Sequence, residues 1–458
     1  MELRQYQIEI KRKVYDAFKE HQKVMLQLPT GGGKTISFVD IARDIVTKGK
    51  RVMILVHRKE LIDQTIHKLM KYGLEYSVIQ SDYIYKHYCM VQVASVQTLV
   101  RRLDNVLPPD VIICDEAHHC TAETYRKIIA NYPEAKLLGV TATPIRTNGE
   151  GFQEIFDIMV CGPTVKELIE LGFLVKPKIY ANPLRFDLSK VKLTAGDYNE
   201  KALYNAFEEQ FTYGNLIKTW NEKAKDLKTI IFAINIEHSK HIVNTYLEAG
   251  IKAEHVDGGT QRNERTGILR RLAEGSTKVV SNVGIITEGF DCPSVEAIQL
   301  VRPTKSLSLY LQMIGRGLRP SAGKECAIVL DHSDSVFEHG FPEQDRIWKL
   351  QGIMKQEKTT KIIIRDKKTG IEYEPRELPA HVDDIELIEI ECDAVRLDEM
   401  QHLIQIARKR GYKIGYAWFK FIEKYQVPTK HEIQKFQQVA GYNPQWCRHQ
   451  YQQFGISA

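Results

Sequence analysis

Residues 28–35 read Leu28-Pro29-Thr30-Gly31-Gly32-Gly33-Lys34-Thr35, directly after an apolar run with the composition of a short strand. Three consecutive glycines followed by lysine and threonine are typical of a loop whose backbone N–H groups surround phosphate oxygens. A helix that begins near Lys34 would add the positive end of its dipole. In such a loop Lys34 contacts the β- and γ-phosphates, and the Thr35 hydroxyl coordinates Mg²⁺. The usual pattern begins with glycine, whereas this loop begins with Leu28. Strand, loop and helix together predict a nucleotide-binding α/β domain.

Apolar segments of strand length alternate with amphipathic helical segments in two blocks around this loop. In the first block the strand-like segments are 24–28, 51–56, 90–94, 111–115 and 137–141. In the second block they are 229–233, 253–256, 278–281, 297–301 and 327–331. Such alternation is typical of parallel sheets covered by helices on both faces. We therefore expect an α/β protein with two tandem parallel-sheet domains.

The boundaries of these domains follow from changes in composition. We place the first domain at 1–175, a linker with two prolines and polar turns at 176–215, and the second domain at 216–345. Residues 346–458 then form a small accessory domain, with a hairpin at 361–373 and helices after residue 397. This last domain is expected to be mostly helical.

The composition is that of a folded globular chain. Hydrophobic residues make up 43% of the 458 residues and charged residues 27%, which excludes a mostly disordered chain. No apolar stretch approaches about 18 residues, so we expect no transmembrane helix and no membrane partner. The eight cysteines include no Cys-x-x-Cys pair, which disfavours a zinc ribbon.

A second motif lies where the apolar segment 111–115 ends in two acids, Asp115 and Glu116. Asp115 would hold the Mg²⁺ ion, and Glu116 would orient and deprotonate an attacking water, as phosphoryl transfer requires. Cys114 and Cys120 flank two histidines here, which suggests a zinc site as an alternative. Cys114 falls within the predicted strand, however, and this disfavours the zinc interpretation.

In these features the chain resembles the superfamily 2 helicases, which combine a Gly-Lys-Thr loop, an Asp-Glu-Ala-His segment and two RecA-like α/β domains. The other motifs of the family follow in order. They are Arg4–Gln7 for adenine recognition, His57–Leu61 (motif Ia), Ala94–Leu99 (Ib/Ic), Thr141–Pro144 (III), Ile231–Ala233 (IV), Thr287–Asp291 (V) and Gln312–Arg319 (VI). Segments 139–146 and 303–307 look like those of the phage and bacterial DNA-repair and branch-migration group. The resemblance covers residues 3–345.

The resemblance implies a role for each matching residue. ATP would contact Arg4, Gln7, Pro29, Thr30, Gly31, Gly32, Gly33, Lys34, Thr35, Gly289 and Asp291, with Gln7 reading the base. The catalytic set would be Lys34, Asp115, Glu116, His118, Gln312, Arg316 and Arg319. Thr141 and Thr143 would couple the ATP state to the grip on nucleic acid, and Thr35 and Asp115 would hold Mg²⁺.

Motif VI also has a physical rationale of its own. Arginine suits a developing phosphoryl charge because its planar group donates two hydrogen bonds and stays protonated. Arg316 and Arg319 are three residues apart, so a helix places them on one face. Because they lie on the second domain, they reach ATP on the first domain only when the cleft closes. Hydrolysis would thereby depend on domain closure.

Nucleic-acid contacts are expected on the opposite face of the two domains. By resemblance the candidates are His57, Arg58, Gln97 and Thr98 in the first domain and Thr287 in the second. They would contact mainly phosphates, which position a strand without reading its sequence. Binding should therefore be nearly independent of sequence and sensitive to salt.

The chain ends in a basic segment rich in aromatic residues. Residues 401–458 contain nine Lys or Arg and two Glu, whereas 383–399 contain eight acids and one Arg. Tyr412, Lys413, Tyr416 and Trp418 place aromatic rings among bases, as in surfaces that combine phosphate contact with base stacking. The alternative is a small helical domain whose aromatic residues form its core and whose lysines are solvated.

Together these features predict an ATP- and Mg²⁺-dependent DNA translocase or helicase that acts on single-stranded, forked or junction DNA. The resemblance implies 3′→5′ polarity and a role in repair, recombination or replication. One alternative is an RNA helicase; others are an ATP-switched sensor or remodelling subunit without strand separation and a restriction-type motor subunit. The mechanism does not require an oligomer. We expect a cytoplasmic location, associated with the nucleoid or, for a phage protein, in the host.

Overall fold

The structure is a computed structural model. Its described residues are 3–81, 83–146, 149–182, 184–194, 196–208, 211, 213–287, 292–344, 346–352, 364–365, 372–373, 376–377, 387–390, 400–401, 403–408, 410–425, 428 and 430–454. The chain forms two compact units. The larger comprises residues 1–182, 186–356 and 378–387, and the smaller comprises 183–185, 357–377 and 388–458. Both predicted α/β domains lie in the larger unit.

A parallel sheet forms the centre of the first domain. Its strands are β1 (Lys23–Gln27), β2 (Val52–Val56), β3 (Tyr76–Ile79), β4 (Val91–Ser95), β5 (Val111–Asp115), β6 (Lys136–Thr141) and β7 (Ile158–Cys161). Their order is β3-β4-β2-β5-β6-β1-β7, and all neighbouring pairs are parallel. Strands β2 and β5 are buried along their whole length, which explains their continuous apolar runs. Sequence patterning did not predict the outer strands β3 and β7.

Helices pack on this sheet. They are α1 (Gln5–Glu20), α2 (Lys34–Thr47), α3 (Lys59–Lys71), α4 (Val96–Leu99), α5 (Glu123–Asn131) and α6 (Val165–Glu170). Short 3₁₀ turns occupy Leu103–Asn105 and Ala117–His119. Helix α1 buries one stripe, including Ile10, Val14 and Phe18, as expected for an amphipathic helix on a sheet.

The second domain repeats this architecture. From residue 176 to 331 the strands are β8 (Lys176–Ala181), β9 (Leu184–Arg185), β10 (Leu193–Thr194), β11 (Asp197–Tyr198), β12 (Thr229–Phe232), β13 (Ala253–Val256), β14 (Val279–Asn282), β15 (Ala297–Leu300) and β16 (Cys326–Asp331), of which β9 belongs to the smaller unit. Within the larger unit the second sheet has the order β13-β14-β12-β15-β16-β8 with parallel neighbours. These two sheets confirm the predicted α/β fold.

The helices of the second domain are α7 (Glu200–Glu208), α8 (Tyr213–Lys223), α9 (Ile236–Glu248), α10 (Arg262–Glu274), α11 (Leu307–Gly315) and α12 (Ser335–His339). Local signals fix their starts. The Asn235 side chain accepts a hydrogen bond from the backbone N–H of His238 at the start of α9, and Ser306 accepts one from Leu309 at α11. No helix among the described residues is long and apolar enough to cross a membrane.

Residues 176–215 were predicted as a linker, and the structure assigns them differently. Strand β8 occupies residues 176–181 of this range, pairs with β16 and so belongs to the second sheet. Helix α7 follows, and its buried Leu203 and Phe207 pack in the hydrophobic core of the second domain.

The smaller unit contains short strands and helices. They are β17 (Ile364–Arg365), β18 (Glu372–Tyr373), β19 (Arg376–Glu377), β20 (Ile388–Ile390), helical residues at 403–408, α13 (Gly415–Tyr425), α14 (Lys430–Ala440) and α15 (Pro444–Gln453). Strands β17 and β18 pair antiparallel, which confirms the predicted hairpin. The Asn443 side chain caps α15, which has proline at its first position.

Candidate nucleotide site and its connection to the second domain

The glycine-rich loop connects β1 to α2 at the carboxyl end of the sheet. Gly31 and Gly33 have φ angles of +84° and +82°, a conformation that side chains disfavour. A Cβ atom on Gly33 would lie 2.5 Å from Nε2 of Gln7, and one on Gly31 would lie 2.7 Å from the Leu174 side chain. The loop therefore requires glycine both for its backbone and for the close approach of neighbouring groups.

The two catalytic candidates of the first domain form an ion pair. Lys34 Nζ donates to Glu116 Oε1 at 2.9 Å, and both side chains are largely buried. Glu116 has a φ angle of +50°, one of three positive values among the described non-glycine residues. Backbone strain of this kind concentrates at functional sites, because the surrounding structure must hold it in place. The loop lysine and the predicted water-activating carboxylate are thus held next to each other.

Asp115 lies beside this pair at the end of β5. Burial raises the pKa of Asp115 to about 7, and the Glu116 carboxylate adds to the rise while the Lys34 ammonium opposes it. Two adjacent buried carboxylates fit a divalent cation, because the cation removes the repulsion between them. Asp115 and the Thr35 hydroxyl would hold Mg²⁺ together with phosphate oxygens, and the bound ion would neutralise charge on the phosphates.

The adenine-recognition segment packs directly on the glycine-rich loop. The Tyr6 hydroxyl donates to the carbonyl of Gly32 at 2.9 Å, and the Arg4 backbone N–H donates to Oε1 of Gln7 at 2.9 Å. The Arg4 guanidinium lies 4.1 Å from the centre of the Phe173 ring. Sequence reasoning missed Phe173, since it lies about 170 residues from Arg4 and in no recognised motif. Arg4, Gln7 and Phe173 line the same cavity.

Side chains of both domains line this cavity of about 640 Å³. They include Arg4, Gln7, Lys34, Thr35, Asp115, Glu116 and Phe173 from the first domain, and Arg316 and Arg319 from the second. Arg316 follows α11, is 7% exposed, and donates from Nε to the carbonyl of Thr287 at 3.2 Å. Gln312 is buried on α11. Both arginines thus line the cavity that contains Lys34 and Glu116, and their contribution to hydrolysis stays a prediction.

The two domains also touch at the glycine-rich loop. A Cβ atom added to Gly315, at the end of α11, would lie 2.6 Å from both Cβ and Cγ2 of Thr30. Helix α11 of the second domain therefore rests on the nucleotide loop of the first, and Gly315 permits that approach.

A line of polar contacts leads from the ion pair to the second domain. Glu116 Oε2 lies 3.5 Å from Nδ1 of His118, which lies 3.4 Å from the Thr141 hydroxyl. The Thr143 backbone N–H donates to the Thr141 hydroxyl at 3.3 Å, and the Thr143 and Ser308 hydroxyls are 2.5 Å apart. Ser308, which sequence reasoning did not identify, lies in the first turn of α11. The coupling role predicted for Thr141 and Thr143 has a physical route in these contacts.

Histidine rings in tilted contact connect the same region to motif Ia. The ring centres of His57 and His119 are 4.1 Å apart, and those of His119 and His118 are 4.2 Å apart. His57 follows β2, whereas His118 contacts Glu116. These ring contacts therefore join His57, a predicted nucleic-acid contact, to Glu116, the predicted base.

The other residues predicted to contact a nucleic-acid strand differ in their exposure and in their hydrogen-bond partners. Gln97 is exposed and donates to the carbonyl of His57 at 3.2 Å, while Thr98 is half-buried. Arg58 donates to the carbonyl of Gly284 at 2.8 Å, a contact between the two domains. Thr287 is 6% exposed, and its hydroxyl donates to the same Gly284 carbonyl at 3.1 Å. In this arrangement Arg58 joins the two domains and Thr287 is bonded within the second domain, and Gly289 and Asp291 lie outside the described residues.

Ion pairs between α3 and α10 also connect the domains. Arg262 pairs with Asp63 at 2.8 Å, and Arg265 pairs with Glu60. The sequence gives no signal for these pairs, because their partners are about 200 residues apart.

In the smaller unit the four residues predicted to contact nucleic acid differ in their exposure to solvent. The Trp418 ring packs 4.8 Å from Phe436 and 5.1 Å from Trp446, so Trp418 belongs to the core of the helices. Trp418 is half-buried and packs against that core, which favours the alternative of an aromatic core for this residue. Tyr412, Lys413 and Tyr416 are exposed.

Comparisons with known proteins identify the family of the chain. A family model described as "Type III restriction enzyme, res subunit" matches residues 1–146, and the "Helicase conserved C-terminal domain" model matches residues 212–321. A 51.5 kDa protein of a Lactococcus phage is 36% identical over 71% of this chain and 69% of its own length. The Saccharomyces cerevisiae protein named as the candidate ATP-dependent helicase IRC3 is 34% identical over 68% of this chain and 48% of its own length. The chain belongs to the superfamily 2 helicases. It is an ATP-hydrolysing helicase or translocase.

More distant matches extend over the same region. The Sulfurisphaera tokodaii protein named DNA 3′-5′ translocase XPB2 is 26% identical over 70% of this chain and 79% of its own length. A fragment of a type I restriction enzyme subunit from Vibrio vulnificus matches with a TM-score of 0.58, 20% identity and coverage of 74% of this chain and 67% of that one. The restriction-modification enzyme LlaBIII bound to DNA matches with a TM-score of 0.56 and 19% identity, over 73% of this chain and 28% of that one. The two structures support the fold alone.

Proposed function

We propose that this helicase-family protein is a DNA translocase that moves 3′→5′ and unwinds or branch-migrates forked or junction DNA. The observation that carries the proposal is the single cavity in which Lys34 and Glu116 of the first domain face Arg316 and Arg319 of the second. Hydrolysis then requires both domains, so each ATP cycle can shift one domain against the other along a strand.

Each of the site residues has its own role in ATP binding and hydrolysis. Lys34 and the backbone of the glycine-rich loop bind the phosphates, and Gln7, Arg4 and Phe173 hold the base. Glu116 orients the attacking water and accepts its proton, and Arg316 and Arg319 neutralise the charge that develops on the phosphoryl group. For this Lys34 must move from Glu116 to the phosphates, which releases the carboxylate to act as the base.

The relation to the named DNA 3′-5′ translocase of Sulfurisphaera supports DNA as the polymer and the 3′→5′ direction. The likeness of segments 139–146 and 303–307 to the branch-migration group supports the forked or junction substrate. Phosphate contacts dominate in such a motor, so affinity should fall steeply with salt and vary little with sequence.

The test is the ATPase rate with no polymer, single-stranded DNA, duplex DNA, forked DNA, a four-way junction and single-stranded RNA. Strongest stimulation by forks or junctions supports the proposal, and strongest stimulation by RNA favours an RNA helicase. A rate that no polymer raises favours the sensor or remodelling subunit. Duplexes with a single 3′ or 5′ overhang then test direction, and unwinding only from a 5′ overhang would contradict the proposed polarity.

A further inference from the structure

The helices of the smaller unit divide their aromatic side chains between two faces. One set packs in the core, where Phe421 and Phe436 are fully buried and Trp418 lies against Trp446. Another set points to solvent and comprises Tyr412, Tyr416 and Phe419, which are 46%, 39% and 63% exposed. Folding of these helices does not account for the second set.

The exposed rings are close together in the chain and in space. The ring centres of Tyr412 and Tyr416 are 4.9 Å apart. Tyr416 and Phe419 are three residues apart on α13, which places them on one side of the helix. The outer face of an amphipathic helix normally carries polar residues, and grouped exposed apolar side chains mark interaction sites.

The charge around these rings is positive. Lys413 and Arg410 are exposed beside Tyr412 in the chain. Residues 401–458 contain nine Lys or Arg against two Glu. Glu432 is buried, and Glu423 is paired with Lys420 at 2.5 Å. An anionic partner with flat apolar faces fits this surface, which is the chemistry of a single nucleic-acid strand.

We propose that Tyr412, Tyr416 and Phe419, together with Lys413, form a stacking surface that binds a single nucleic-acid strand. We call these four residues the stacking surface. The inference rests on the proposed function, since it gives the nucleic-acid motor a second contact outside the two α/β domains. Ring stacking is available to every base, so the contact holds the strand without reading its sequence, and Lys413 contacts a phosphate.

The first experiment measures the affinity of the full-length protein for a fluorescent oligo-dT by anisotropy, in the absence of nucleotide. The double variant Tyr416→Ser/Phe419→Ser should bind roughly 5- to 150-fold more weakly, the loss expected for about one stacked base. Tyr416→Phe keeps the ring and should bind like the wild type. Ile84→Ser is the matched control, because Ile84 is an 88% exposed apolar residue of the larger unit. Lys413→Gln should reduce the slope of log K against log salt by about 0.7.

The second experiment locates the strand directly. An oligonucleotide that carries 5-bromouracil, irradiated in the complex, should cross-link to the peptide that contains residues 412–419. Cross-links confined to residues 1–345, together with unchanged affinity of the double variant, would overturn the proposal. Self-association of the wild type that the double variant abolishes, with DNA binding unchanged, would overturn it in favour of a protein interface.

Basal ATPase activity distinguishes this proposal from the proposed function. The double variant should keep the wild-type rate without DNA, because its substitutions lie outside the nucleotide site. If DNA stimulates ATPase but the double variant binds DNA normally, the proposed stacking surface is wrong and the proposed motor function is still supported. If no polymer stimulates ATPase but the double variant binds oligo-dT more weakly, the proposed motor function is wrong and the proposed stacking surface is still supported.

Discussion

The contact between Gly315 and Thr30 makes one glycine decisive for the arrangement of the two domains. Gly315→Ala adds a single methyl group at the end of α11, where the φ angle is not positive and the backbone accepts alanine. The new Cβ would lie 2.6 Å from Cβ and Cγ2 of Thr30, whereas ordinary contact begins near 3.4 Å. The loop and the helix must therefore separate by about 0.8 Å.

Overpacking of this kind costs about 1–3 kcal/mol, which corresponds to a change of about 5- to 150-fold in an equilibrium. Thr30 lies in the nucleotide loop of the first domain and Gly315 in the second, so the strain is relieved when the domains move apart. That movement withdraws Arg316 and Arg319 from the phosphates. We expect DNA-stimulated kcat to fall about 5- to 150-fold in Gly315→Ala.

The assay is steady-state ATP hydrolysis at saturating DNA, with the thermal midpoint of unfolding measured in parallel. Gly214→Ala is the matched control, because a Cβ there meets nothing within 4 Å. Gly214 lies in α8, and alanine should leave its activity unchanged. Thr30→Gly removes both clashing atoms, so the double variant should lose less activity than the two single variants predict together. Turnover of Gly315→Ala within twofold of the wild type would refute the reasoning.

Three further substitutions test other parts of the site. Glu116→Gln should reduce kcat by about 10²–10⁴ because it removes the proton acceptor, while a fluorescent ATP analogue still binds; near-normal turnover would exclude Glu116 as the base. Phe173→Ala should raise the KM for ATP about two- to tenfold and weaken discrimination against pyrimidine nucleotides. Phe173→Tyr keeps an aromatic ring and should change neither property. An unchanged KM in Phe173→Ala would show that the base does not contact Phe173. Ser308→Ala should lower DNA-stimulated but not basal ATPase by about two- to tenfold, and equal loss of both would show that Ser308 supports folding rather than coupling.

The sequence predicted the elements whose residue types are set by burial or by backbone conformation within the element itself. Residues 111–115 form β5 as predicted, because a run of five residues buried on both faces has a clear apolar signature. The glycine-rich loop was also predicted, since its φ angles exclude most other residues. Strand β7 is only four residues long at the side of its sheet, and it gave no comparable signal.

Contacts between distant segments could not be predicted in the same way. Phe173 meets Arg4, and Ser308 meets Thr143, only because the folded sheets bring them together. The accessory helices are an intermediate case. Helical periodicity separates Trp418 and Phe421 on the inner side of α13 from Tyr416 on the outer side, but only once the bounds of the helix are known.

The central claim is that ATP on the first domain is hydrolysed with the help of an arginine from the second. The most direct measurement is the ATPase rate of Arg316→Ala with and without DNA, together with its affinity for ATP. The account predicts that ATP still binds while DNA-stimulated turnover falls about 10³- to 10⁵-fold. Wild-type turnover in Arg316→Ala would contradict the account, because hydrolysis would then need only the first domain.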